Sequence, residues 1–136
     1  MARGHQLRPV TLSFDPQASE IVVWCEFAGV DGGKTRASLL FDTGAARTLI
    51  NRATIESAGY GIRLGGSVPL VTASAVVAAP VVTLRRFEVA GFAYDKFEVV
   101  AHTLPSQAPV DGLLGLDFIR RHQIAIDFKG GKLHIN

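Results

Sequence analysis

Asp42, Thr43 and Gly44 follow directly on Leu39, Leu40 and Phe41, so an apolar run of the kind found in buried strands ends in a carboxylate, a hydroxyl and a residue without a side chain. An ionised carboxylate is costly to bury unpaired, so at such a junction it must be hydrogen-bonded, neutralised or sited in a functional cleft. Gly44 would let backbone approach it closely. The chemistry open to such a group is acid–base work on water. Two carboxylates held together cannot both ionise, their pKa values split apart, and one can then act as base while the other keeps a proton. Three letters do not decide the matter, since Asp and Gly are also common in strand-ending turns.

Other chemistry-bearing residues are less promising. Asp111 precedes Gly112 in an expected turn, Asp127 alternates outward from Ile126 and Phe128, and Asp117 is placed to serve a helix N-terminus. None repeats the strand-Asp-Thr-Gly context of Asp42. The histidines His5, His102, His122 and His134 fall in no metal-site spacing, so no metal is expected. Cys25, the only cysteine, lies in an apolar run, which excludes an internal disulfide and reads as a buried strand position. No Gly-x-Ser-x-Gly elbow, phosphate-binding loop or dinucleotide fingerprint is present, and no cofactor is expected.

The stretch Leu39-Leu40-Phe41-Asp42-Thr43-Gly44-Ala45-Ala46-Arg47-Thr48-Leu49-Ile50 resembles the active-site motif of aspartic proteases, with a small or β-branched residue at Thr48. Downstream, Gly112-Leu113-Leu114-Gly115-Leu116-Asp117 and the basic segment Phe118–Gln123 resemble the apolar-apolar-Gly element and following helix of retropepsins. Continued through Ile124–Phe128, this second match is similar to the retroviral-protease-like domain of the cellular DNA-damage-inducible proteins. The resemblance spans about Ile21 to Ile135. It implies that Asp42 is catalytic, that Thr43 bonds across a dimer interface, that Gly44 and Ala45 support the site, and that Leu113 and Leu114 line an apolar floor. It also implies a β-hairpin flap over Val68–Val82, with Thr72, Ala73 and Ser74 facing substrate. Flaps of this family carry glycine near the tip, and Leu70–Ala79 has none.

One Asp-Thr-Gly supplies one carboxylate, so the second is expected from another copy across a two-fold axis, which makes the expected assembly a homodimer. A groove closed by hairpins would take an extended, hydrophobic peptide through main-chain hydrogen bonds and alternate side chains. The expected activity is aspartic endopeptidase. The alternative is a non-catalytic retropepsin-fold domain used for dimerisation or peptide binding, because fold does not guarantee turnover.

The elements that must position these residues are short strands. Val30–Lys34 reads as the turn of a hairpin between Ile21–Ala28 and Thr35–Phe41. Asn51 is placed to cap a helix over Arg52–Ala58 that Gly59 ends. Two or three strands are expected between Val68 and Val100, then a loop over Thr103–Pro109 and a short helix over Leu116–His122. Ile124, Ile126 and Phe128 share a face before a Gly130-Gly131 turn into Leu133 and Ile135. Together they predict an all-β, barrel-like acid-protease domain with one or two short helices. A single domain over residues 1–136 is expected, with residues 1–8 flexible.

Bulk properties agree with that class. The chain is 48% hydrophobic and 19% charged, and its net charge of +2 arises from scattered residues, so no nucleic-acid surface is expected. It has neither a leader-like apolar segment near residue 1 nor a run of ~20 apolar residues, so no membrane partner and a cytoplasmic, reducing location are expected.

Overall fold

The structure, a computed structural model, describes residues 8–62, 66–72 and 74–136. The amino-terminal segment expected to be flexible lies, up to residue 7, outside them, as does Ala73. Ten strands and two short helices follow in the order β1 (Val10–Ser13), β2 (Val22–Ala28), β3 (Lys34–Phe41), β4 (Leu49–Asn51), α1 (Arg52–Ser57), β5 (Ser67–Val71), β6 (Val76–Val89), β7 (Phe92–His102), β8 (Gly112–Leu114), α2 (Leu116–Ile119), β9 (Ile124–Asp127) and β10 (Lys132–Ile135).

Alternation of side chains drives the assembly. Along β2, Val23, Cys25 and Phe27 are buried while Val22 and Trp24 face out, the period-two pattern of a strand with one face on a core. Six strands close into a barrel: β2 pairs β3, β3 runs parallel to β8, β8 pairs β4, β4 runs parallel to β7, β7 pairs β6, and β6 returns to β2. Closure leaves few strand edges unpaired. Strand β5 lies outside the ring and pairs only with the first part of β6. Strands β1, β10 and β9 form a separate three-stranded sheet.

β8 is threaded between β3 and β4, and Gly112 makes room for it. A Cβ there would lie 2.0 Å from the Leu49 carbonyl oxygen and 2.9 Å from Leu39 Cδ2. Helix α2 is anchored by Phe118, fully buried, which meets Phe87 and Tyr94 edge-on at centroid distances of 6.1 and 5.9 Å. Phe87 in turn stacks on Phe97 at 4.6 Å. No helix among the described residues is long and apolar enough to cross a membrane.

The sequence expectations differ from the fold in three details. α1 forms where expected and Gly59 follows it with φ of 93°, but the Asn51 side chain does not cap the helix. Its Oδ1 accepts from the Leu104 N–H at 3.1 Å, which ties down the loop after β7. Helix α2 spans Leu116–Ile119 rather than reaching His122. The closing hairpin pairs Asp127 with Lys132, so its turn holds four residues and Phe128 leaves the sheet face for solvent, 64% exposed. Between Val68 and Val100 there are three strands, the last two joined at Ala90 and Gly91, both with positive φ. That conformation is unusual for alanine and matches the twist of a two-residue hairpin turn.

Candidate active site

Strand β3 delivers Asp42 to the end of the barrel. Its N–H donates to the Leu114 carbonyl at 3.0 Å, extending the β3–β8 pairing by one residue. The chain then turns sharply: Ala45 N–H donates to the Asp42 carbonyl at 3.2 Å and Gly44 N–H to Asp42 Oδ1 at 2.9 Å. A backbone donor on one carboxylate oxygen fixes its orientation and leaves the other open. The Asp42 side chain is half-buried, whereas Thr43 and Gly44 are exposed. The Thr43 hydroxyl makes no hydrogen bond among the described residues.

A buried layer holds this loop. Thr48 is fully buried, and its N–H and hydroxyl donate to the two carboxylate oxygens of Asp117 at 2.9 and 2.7 Å. Gly115 N–H donates to Thr48 Oγ1 at 3.1 Å, and Phe118 N–H donates to Asp117 Oδ1 at 2.9 Å. Leu116 N–H reaches the Ala45 carbonyl at 2.8 Å. These bonds clamp the loop after β3 to the start of α2. Gly115 is needed for the approach, because a Cβ would lie 2.5 Å from the Arg47 carbonyl carbon. Asp117 therefore serves its helix N-terminus, as expected, and also locks the Asp42 loop, a role that sequence reasoning missed. No local signal pairs the two residues, since Thr48 follows the charged Arg47 and Asp117 reads as an ordinary helix-start residue.

In front of Asp42 lies a cleft of about 600 Å³ lined by Asp42, Gly44 and Ala45 from the loop, by Leu49, Val100 and Leu113 from the barrel, and by Val68–Val71 of β5. A second cleft of about 590 Å³ continues from it past Leu49, Leu70 and Leu113 to Thr72 and His102. Leu113 faces both. Leu114 does not line either: its side chain is 1% exposed within the barrel core, and it contributes only its carbonyl to Asp42. Strand alternation accounts for the difference, since adjacent residues point to opposite faces.

The hairpin β5–β6 overhangs the cleft in the position expected of the flap. Its tip is closed by Thr72 rather than by glycine. Thr72 N–H and Oγ1–H both donate to the Ala75 carbonyl, at 2.8 and 2.9 Å, while Oγ1 accepts from Ala75 N–H at 3.1 Å and Ser74 N–H at 3.4 Å. Ser74 is exposed at the tip, and Val71 and Val76 beside it are 77% and 66% exposed.

The remaining candidates are engaged elsewhere. Asp111 accepts from the Ser38 N–H and hydroxyl at 2.9 and 3.2 Å, and Asp127 accepts from Gly130 N–H in the closing turn. Asp42 is the one carboxylate lining the cleft among the described residues. His122 bonds the Tyr94 hydroxyl at 2.8 Å and His134 bonds Thr11 at 2.9 Å. No group of three His, Cys, Asp or Glu side chains is placed to hold a metal ion among the described residues. Cys25 is 1% exposed, and burial pushes its thiol up to about 12.

A family model described as aspartyl protease matches residues 25–118. Among solved structures, the chain is similar to a retropepsin-like aspartic protease from Rickettsia conorii, with a TM-score of 0.58 and 17% sequence identity over 96% of each chain. At that identity the likeness is one of fold. No curated protein matches the chain.

Proposed function

The chain belongs to the aspartyl protease family and has a retropepsin-like fold, and from that premise we propose that it is an endopeptidase whose site is completed when two copies each contribute Asp42. The observation that carries the reading is the one cleft-facing carboxylate among the described residues, at the end of β3, oriented by Gly44 N–H and backed by the Thr48–Asp117 clamp. One such group is half of a dyad. A two-fold axis between two Asp42 side chains supplies the other half from the same gene product.

In the assembled site the two carboxylates share one proton, because like charges at close range cannot both ionise. The ionised Asp42 takes a proton from a water held between the pair as that water attacks the scissile carbonyl. The protonated Asp42 donates to the carbonyl oxygen, and a proton then passes to the departing amine. No covalent intermediate forms. Thr43, exposed and without a hydrogen bond among the described residues, would bond across the two-fold and hold the two loops together. An extended peptide lies between the barrel and β5, with alternate side chains entering the apolar clefts floored by Leu49 and Leu113.

Digestion of a peptide library over roughly pH 3 to 8 tests this, with cleavage expected to follow a bell-shaped profile set by the dyad. Asp42→Asn should abolish it while leaving the far-UV spectrum and unfolding midpoint near those of the unaltered protein. Cleavage that persists in the variant would refute the assignment.

A further inference from the structure

The cleft carries one feature that the proposed chemistry does not use. Arg47, five residues after Asp42, is the one cationic residue lining it among the described residues. The other side chains lining the cleft, Asp42 apart, are apolar, Leu49, Val68, Val100 and Leu113 among them. The backbone of Arg47 is held rigidly, pressed against Gly115 and followed directly by the buried Thr48. Its side chain is free to reach, at 48% exposed.

Arg47 has a partner on the protein, Glu98 on β7, but the contact is loose. The nearest nitrogen and oxygen are 3.9 Å apart, with Glu98 61% exposed. A pair of that geometry is solvent-screened and contributes little. Glu98 is not among the residues lining the cleft, whereas Val100, two residues on along the same strand, is. The guanidinium thus stands at the rim between a weakly held glutamate outside and an apolar cleft inside. A carboxylate arriving on a peptide can offer a planar, bidentate partner that Glu98 does not.

We propose that Arg47 makes this site selective for substrates bearing an acidic side chain near the scissile bond, within an otherwise hydrophobic segment. The inference rests on the endopeptidase reading and names its substrate class. In a two-fold dimer Arg47 occurs once on each side of the catalytic pair, so the acidic preference falls at symmetry-related positions on both sides of the cleaved bond. It is electrostatic, so it shrinks as salt rises.

The test uses one hydrophobic peptide made in sets that carry Glu, Gln or Lys at each position in turn on either side of the cleaved bond. For the unaltered enzyme, kcat/KM should favour Glu over Lys by about three- to tenfold at one position on each side, as for a partly screened ion pair. Arg47→Gln should bring that ratio near one, Arg47→Glu should invert it, and Glu98→Gln, which frees the guanidinium, should enlarge it. In parallel, binding of the same peptides, fluorescein-labelled, to the Asp42→Asn protein is followed by anisotropy. If the unaltered enzyme cleaves nothing, the endopeptidase reading fails, while the binding series still reports the charge preference. Equal treatment of Glu and Lys peptides in both assays, or a preference that Arg47→Glu leaves in place, would overturn the role of Arg47.

Discussion

The buried hydroxyl of Thr48 and the carboxylate of Asp117 decide how rigidly Asp42 is held. Each satisfies the other, and Gly115 N–H depends on Thr48 Oγ1. Removing one side of such a network leaves buried polar groups unpaired, which costs about 1–3 kcal/mol. Thr48→Val, close in volume but without the hydroxyl, is therefore expected to lower the unfolding free energy measured in urea by that amount and to reduce kcat more than it raises KM, since the loop and not the cleft is loosened. Cys25 gives a second residue-scale prediction. Burial raises its thiol from 9.0 to about 12, so between those values the unfolded chain has lost a proton that the folded chain keeps. Stability must then fall with rising pH in that window, by at most about 1.4 kcal/mol per unit from this group. Unfolding midpoints at about pH 8 and 10 should show a smaller drop for Cys25→Ala. Asp42 was legible in the sequence because a carboxylate closing an apolar run is a local anomaly. The Thr48–Asp117 bond was not, because its partners are 69 positions apart and each looks ordinary in its own neighbourhood.

At the scale of elements, the strands were legible and their ends were not. Period-two alternation marks β2, β9 and β10 directly, whereas where a strand stops depends on its partner. Phe128 continues the alternating pattern of Ile124 and Ile126, yet the Asp127–Lys132 register ends the ladder before it. Asn51 has the right type and position for a cap, but tertiary packing gives its side chain to Leu104 instead. The flap tip shows the same limit, for the missing glycine is replaced by a side-chain device. Thr72 Oγ1 engages three backbone groups of its own turn, as Ser and Thr do in turns of this kind. Thr72→Val should release them, with faster amide exchange at Ser74 and Ala75 and a raised KM, whereas an unchanged exchange pattern would mean the turn is closed without the hydroxyl. Phe118 tests the packing of α2. Truncation to Ala beneath Phe87 and Tyr94 should cost about 3–5 kcal/mol, and because α2 carries Asp117 the loss should extend to activity.

Over the whole molecule, closure of the barrel brings two distant chain segments to one place. The parallel pairing of β3 with β8 sets Asp42 beside Leu114, and the squeeze at Gly112 allows it. The fold class could be expected from many short strands and two matching motifs, but the strand order could not, since β8 lies between β3 and β4 rather than beside its sequence neighbours. What the protomer lacks is a second carboxylate in its cleft among the described residues, and in the proposed assembly a second copy supplies that group. The most direct measurement mixes the unaltered protein with Asp42→Asn in equal amounts at fixed total concentration, after conditions that let subunits exchange. Only dimers with two Asp42 residues should cleave, so activity should fall to about one quarter of that of the unaltered protein alone. A fall to only about one half, as expected of protomers working singly, would contradict the shared site.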